Sequence, residues 1–348
     1  MKKTIHIVAS TTSPMHTAYP DGATKLPDGS LVQLTHKKGV GNINTPCHPA
    51  NGFRGALRRH AADRIMDVLA DRGEKVSAEV YNGLRCGAAT AQPDTASNSI
   101  EEMVRAGTHV YMGLFGGAAR LLRSRYSVQD LDIICQHNVD AGTVSTPPAM
   151  IEELLTNQTI KIEGEVVAKA PYHYLERSFF TRVDDIGRGV KSNHIENVID
   201  GGFEGVQSHA AETIDSNAKR KADSTVKKTS VSHLVSIERI KAGTPVALRI
   251  DIDADATDAQ VGMILQSLQD MFTVNRIGGY GRNGYGRLRV EGVQFNNEGD
   301  VLSQSDDFYQ DDMFSFNDDF SHFIDAANDE ITGIDTEELV SYFTNLGK

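Results

Sequence analysis

Cysteine is scarce in this chain, and long apolar runs are absent. Cys47, Cys86 and Cys135 are the only cysteines in 348 residues; they are widely spaced and form no CxxC pair. A disulfide framework and a Cys-based zinc site are therefore not expected, and reduced thiols of a cytosolic protein fit. No stretch approaches the ~18–20 apolar residues of a membrane span. The opening MKKTIHIVASTTS has two lysines, but its short apolar run breaks into Ser/Thr, so it reads as a first strand rather than a signal peptide. There is no GK[ST] and hence no Walker A loop. His137, His173, His194, His209 and His233 are scattered, with no HExxH and no GxSxG. Asp251-x-Asp253-x-Asp255 suggests calcium, but the sixth and twelfth loop positions hold Ala256 and Gly262 in place of Gly and Glu. That segment reads as a half-buried strand running into a polar loop. No metal and no cofactor are expected.

The composition is that of an ordinary globular protein, 39% apolar and 24% charged, and the chain is long enough for a core without staples. Its formal net charge of −12 argues at first against a nucleic-acid partner. The distribution reverses that argument. From Glu298 onward there are fourteen acidic residues and one lysine, so the preceding 297 residues are close to neutral. A neutral body can present a basic groove, because local potential guides a phosphate backbone. The acidic tail also carries Phe308, Tyr309, Phe314 and Phe316, and part of it is expected to be mobile or to dock on a partner.

Ile5, Ile7 and Ala9 predict a strand over residues 4–11. Residues 13–47, with Pro-Asp-Gly twice, read as a long loop with room for a hairpin. Phe53, Leu57, Ala61, Ile65, Val68 and Leu69 recur at helical spacing after Pro49, predicting a helix over 49–72. Residues 76–160 are mixed, with a strand-like run over 120–134 and a helix near 149–155. Residues 160–180 look extended. Residues 181–230 are rich in Gly, Asn, Ser, Lys and Arg and read as a protruding insertion. Residues 231–240 and 244–252 read as two strands joined by a turn at Lys241-Ala242-Gly243. Thr257 and Gln260 form a capping box, and Val261, Ile264, Leu265, Leu268 and Phe272 share one face of the helix that follows. A strand is expected over 287–295. The predicted order is βαββαβ with large insertions, an α+β fold of the ferredoxin-like type.

Two motifs carry candidate chemistry. Gly278-Gly-Tyr-Gly-Arg-Asn-Gly-Tyr-Gly-Arg287 follows a helix and precedes a strand, the reverse of the Rossmann order. Its glycines allow backbone N–H groups to approach a phosphate, and Arg282 and Arg287 could pair with one. Tyr280 and Tyr285 would either stack on bases or pack beneath the loop. In Pro49-Ala-Asn-Gly-Phe-Arg-Gly-Ala-Leu-Arg-Arg59, Arg54 and Arg58 lie one helical turn apart, suited to a phosphate path or to a solvated helix face. Lys219-Arg220-Lys221 with Lys227-Lys228 is open in the same way.

At these residues the sequence resembles the RAMP superfamily of CRISPR proteins, and within it the Cas-seven-like backbone subunit. The resemblance rests on the Pro-x-x-Gly-Phe-Arg-Gly-x-Leu-Arg pattern, Leu114-Phe115-Gly116, Ile237-Glu238-Arg239-x-x-Ala-Gly243 and the glycine-rich loop, in that order over roughly residues 4–295. Length and the acidic extension look most like the type IV branch. The resemblance implies a hand-shaped protein: an RRM-like palm from residues 1–75 and 231–297, fingers over 76–170, a thumb and basic loop over 171–230, and the acidic extension over 298–348. It implies a cytoplasmic, non-catalytic subunit that stacks with copies of itself along crRNA, pairs the guide with target nucleic acid (DNA favoured), and meets other effector subunits and a helicase. The implied RNA contacts are Asn51, Arg54, Arg58, Arg59, Gly278, Gly279, Tyr280, Arg282 and Tyr285 in the palm, and Arg182, Arg188, Lys191 and His194 in the thumb. Loop and arginine helix are expected to converge on one trough. The alternative is a RAMP endoribonuclease, processing crRNA or cutting target RNA with a metal held by Asp21 or Asp28.

Overall fold

In the computed structural model, residues 3–18, 23–25, 31–87, 100–117, 122–185, 204, 230–297, 299–304 and 308–343 are described. The elements in chain order are β1 (Lys3–Thr11), β2 (Ala23–Lys25), β3 (Leu31–Gln33), β4 (His36–Lys38), β5 (Asn44–His48), α1 (Ala50–Asp71), α2 (Ala78–Cys86), α3 (Ile100–Thr108), α4 (Met112–Phe115), β6 (Tyr126–Val128), β7 (Leu131–Ile133), α5 (Gln136–Asp140), α6 (Pro148–Thr156), β8 (Thr159–Ile162), β9 (Glu165–Ala168), β10 (Leu175–Asp185), β11 (Ser230–Ile240), β12 (Pro245–Ile252), α7 (Asp258–Val274), β13 (Leu288–Asn297), β14 (Asp300–Gln304), β15 (Tyr309–Gln310), β16 (Met313–Phe314), α8 (Ser321–Thr332) and α9 (Thr336–Phe343). The chain divides into a unit of Met1–Gly22, Leu34–Glu176 and Arg239–Lys348, and a unit of Ala23–Gln33 with Arg177–Glu238.

The first unit is built on an eight-stranded sheet in the order β14-β13-β1-β12-β7-β5-β4, with β6 also pairing β12. β1 is central because both its faces are apolar where they must be. Ile5, Ile7 and Ala9 join the main core with α1 and α7, while Val8 on the opposite face packs with Ile134, Val144, Ile151 and Ala247 near α6. β1 runs antiparallel to β12 from Lys3↔Ile252 at one end to Ser10↔Pro245 at the other. It also runs antiparallel to β13, with a bulge at Val8/Ala9.

The capping box at Thr257 and Gln260 starts α7 as expected, with two reciprocal bonds of 3.2 Å. At the other end Asn275 adopts the left-handed conformation, and its side-chain amide exchanges two 2.7 Å bonds with the backbone of Leu288, fixing the start of β13. α7 is buried on more than its predicted face, because α8 lies on it. A Cβ at Gly262 would stand 1.8 Å from the Phe323 carbonyl oxygen, so only glycine admits that approach. α1 has no side-chain cap of its own. The Asp130 carboxylate supplies one from the β6–β7 connection, accepting from Ala50 N–H at 2.9 Å.

Three expectations are corrected. The described part of residues 13–47 holds four short strands, two of them at one end of the large sheet, in place of a loop with room for a hairpin. β11 and β12 follow one another in sequence but do not pair; the neighbour of β12 opposite β1 is the broken strand β6–β7. Over 308–343 the acidic extension is folded onto the body and is not a loose tail. Phe308, Phe314, Phe320, Phe323, Ile331, Leu339, Tyr342 and Phe343 belong to the main core, while the carboxylates face outward.

The second unit contains the sheet β10-β11-β3-β2, in which β3 pairs antiparallel with β2 and parallel with β11. Arg182 lies on β10. Arg188, Lys191, His194 and the Lys219–Lys228 cluster lie outside the described residues, as do Asp21 and Asp28.

Candidate nucleic-acid interface

The glycine-rich loop leaves α7 and returns as β13, at the Ser10–Pro245 end of the central ladder. It hangs on the segment just past β1 through a run of backbone bonds. Gly279 N–H donates to His16 O at 2.7 Å, Gly286 N–H to Pro14 O at 2.9 Å and Thr12 N–H to Arg287 O at 2.9 Å. The Ser13 hydroxyl accepts from Arg287 N–H at 3.0 Å. The loop closes on itself through Ile277 N–H to Gly286 O at 2.9 Å. Gly286 has φ of 82° and lies so close to Ile277 that a side chain has no room, which explains a glycine there without invoking a ligand. Tyr280 is a non-glycine residue held at φ of 60°, with its ring edge-on to His16 at 5.3 Å.

The two tyrosines take different roles. Tyr285 is buried beneath the loop; its hydroxyl accepts from Arg239, whose guanidinium lies 5.2 Å from the ring centroid. Tyr280 is half-buried at the surface of the loop, 6.2 Å from the Tyr285 ring. Around them Arg276, Arg282, Arg287 and Arg289 are exposed, and none has an ion-pair partner among the described residues. Gly278 is exposed and Gly279 half-buried. Arg289 escaped the sequence reading. Its signal was the alternation Arg287-Leu-Arg289-Val290, which puts both arginines on one side of a strand.

The arginine helix is elsewhere. Arg58 is half-buried and donates to Phe115 O at 2.6 Å and Gly116 O at 3.4 Å, with its guanidinium 5.6 Å from the Phe115 ring centroid. Arg54 donates to the Ser124 hydroxyl at 3.4 Å and lies 5.5 Å from the Tyr126 ring centroid. Tyr126 pairs with Ile252, and Ile252 with Lys3, so these arginines reach the end of the ladder opposite the glycine loop. Seven residue steps separate the two ends, about 23 Å at ~3.3 Å per residue. The expected convergence on one trough is therefore overturned: carbonyls within the protein hold Arg58, and the Asp130 carboxylate occupies the N–H at the helix start. Asn51 and Arg59 are exposed on α1.

Sequence reasoning also missed a charged cluster at the root of α1. Lys37 Nζ lies 2.9 Å from Asp130 and 2.8 Å from Asp132. Burial pushes the Asp132 carboxyl up to about 6 although Lys37 opposes the shift. The cluster joins β4, β5 and β7 and caps α1. Asp251 is likewise satisfied internally, by Arg249 at 2.9 Å and Thr4 at 3.0 Å. Among the described residues, no group of three or more His, Cys, Asp or Glu could hold a metal ion, and no helix is long and apolar enough to cross a membrane.

No protein-family model matches the sequence, and no curated protein matches it. Among solved structures the chain is similar to a chain of Type III-B Cmr-beta bound to cognate target RNA, with 9% identity and a TM-score of 0.39 over 85% of this chain. It spans 61% of the length of that chain. It is also similar to a chain of a Type IV-B CRISPR complex, with 14% identity and a TM-score of 0.38 over 86% of this chain and 91% of that one. Both are loose likenesses in the path of the chain.

Proposed function

We propose that the chain is a non-catalytic backbone subunit of a CRISPR ribonucleoprotein, that it grips single-stranded crRNA along its phosphates, and that the glycine-rich loop with its arginine rim is the contact. The observation that carries the reading is the cluster Arg276, Arg282, Arg287 and Arg289: four exposed guanidiniums without ion-pair partners among the described residues, around a loop whose backbone is already fixed. Guanidiniums bind phosphate without reading bases, as a holder of any guide must. The half-buried Tyr280 offers a ring beside them.

The sheet order supports an RRM-like palm. β13-β1-β12-β7, with α1 and α7 in the core on one face, follows the βαββαβ connection if β6–β7 is its second strand. Motif order in the sequence supports the CRISPR assignment, and length with the acidic extension supports the type IV branch. In this reading copies of the chain stack head to tail along the guide, which leaves open-ended helices, and base pairing supplies specificity for a DNA target. Other effector subunits and a helicase complete the complex.

Binding of a labelled single-stranded RNA to the full chain, measured across a salt series, tests the proposal. Affinity that falls steeply and linearly on logarithmic axes is expected. Absence of binding at low salt overturns it, as does specific cleavage of precursor or target RNA by the chain alone.

A further inference from the structure

The glycine-rich loop has a second anchor besides its backbone bonds, and that anchor is at the root of a different pair of strands. Arg239, next to last in β11, donates through Nη1 to the Tyr285 hydroxyl and lies over the Tyr285 ring. Its Nε is 2.8 Å from the carboxylate of Glu176, the second residue of β10. The neighbouring backbone is stitched as well: Ile240 and Met15 exchange two bonds of 2.8 and 3.0 Å, and Lys241 Nζ donates to His173 O at 2.7 Å. Tyr285 is 7% exposed, the Arg239 side chain 22% and that of Glu176 35%, so the contact is partly shielded from water at its Tyr285 end.

We infer that Arg239 is the positioning residue of the RNA contact: its fork ties Tyr285 to Glu176 and holds the glycine-rich loop, with Tyr280 and the rim arginines, in the conformation that receives the strand. The inference rests on the reading of the loop as the RNA contact. It adds that the loop is set from the ends of β10 and β11, so displacement of those strand ends reaches the RNA through one side chain. Lysine is not an equivalent replacement, because its single ammonium lacks the planar guanidinium that lies over the Tyr285 ring while its separate nitrogens reach Tyr285 and the Glu176 carboxylate.

The experiment uses the full chain in two measurements: amide hydrogen exchange without RNA, and single-stranded RNA affinity across a salt series. Arg239→Met is expected to speed exchange at Gly279 and Gly286 by roughly tenfold or more while leaving Ile5–Val8 of β1 unchanged. RNA affinity is expected to fall with the salt slope unaltered, because Arg239 makes no phosphate contact. Arg239→Lys should restore neither. Tyr285→Phe, a milder change, should loosen the same amides, and the double variant should lose little beyond Arg239→Met. Unchanged loop exchange in Arg239→Met, additive losses in the double variant, or a reduced salt slope would overturn the inference. If the unaltered chain ignores RNA, the reading of function falls, whereas exchange and coupling still decide whether Arg239 sets the loop.

Discussion

A Cβ placed on Gly286 would stand 1.9 Å from the carbonyl oxygen of Ile277, and Gly286 has a φ of 82°. Gly286→Ala should therefore displace the loop at both ends. Strain of this kind costs of order 1–3 kcal/mol, and relief of the clash adds to it. Loss of RNA affinity with a smaller fall in melting temperature is the expected pair of results, measured by anisotropy and calorimetry.

The Arg282 and Arg287 side chains are exposed and have no ion-pair partner among the described residues. Replacing both with alanine should leave thermal stability within about 0.5 kcal/mol. The salt dependence of RNA binding should flatten, by about 0.7 in logarithmic slope for each phosphate that is no longer neutralised. Arg58→Ala should do the opposite, lowering stability because the Phe115 and Gly116 carbonyls lose their donor, and leaving the slope alone.

Lys37 sits between Asp130 and Asp132. Lys37→Met leaves Asp132, 6% exposed, without its counter-charge, and removing one partner of such a pair costs about 3–5 kcal/mol. Lys37→Met with Asp132→Asn should recover much of that loss. Denaturant unfolding of the two variants measures the difference.

Burial holds the His48 and His109 imidazoles down at about 4. His109 Nδ1 accepts from Tyr111 and Met112 N–H, both at 3.1 Å, and so must stay unprotonated to cap α4. An unfolded chain takes up a proton near pH 6.5, while the folded chain resists until about 4. Each histidine therefore lowers stability as pH falls through that window, by up to about 3 kcal/mol. The raised Asp132 carboxyl works in the opposite sense from about 4 to 6, since the folded chain keeps a proton the unfolded one has lost. His109→Asn keeps the acceptor and should reduce the acid loss relative to the unaltered chain, as read by thermal melts from pH 7 to 4.

Ending the chain before Phe308 should yield an aggregating protein. The deletion uncovers α7 along the side that Phe314, Phe320, Phe323 and Ala327 bury. A soluble, cooperatively melting truncation would contradict the packing described.

Local signals were legible where the chain states them locally. Alternation gave β1, apolar spacing gave α1, and Thr257 with Gln260 gave the start of α7. The second strand beside β12 was hidden because Gln129-Asp130 interrupts Tyr126–Ile133, while the adjacent β11 looked like a hairpin partner. The acidic extension hid its core phenylalanines among carboxylates, since net charge is read before face. The glycine-rich loop was recognisable from its residues; the partners of Arg54 and Arg58 were not, because they lie some sixty or seventy residues away in sequence.

With α8 and α9 fastened to the body, Asp318, Asp319, Asp325, Asp329, Glu330 and Glu337 become fixed points of negative potential. Such fixed carboxylates oppose the approach of a polyanion within about a Debye length (~8 Å) of them. On the proposed function, docking the extension thus turns a surplus of acid into a fixed field that restricts where an RNA strand can approach.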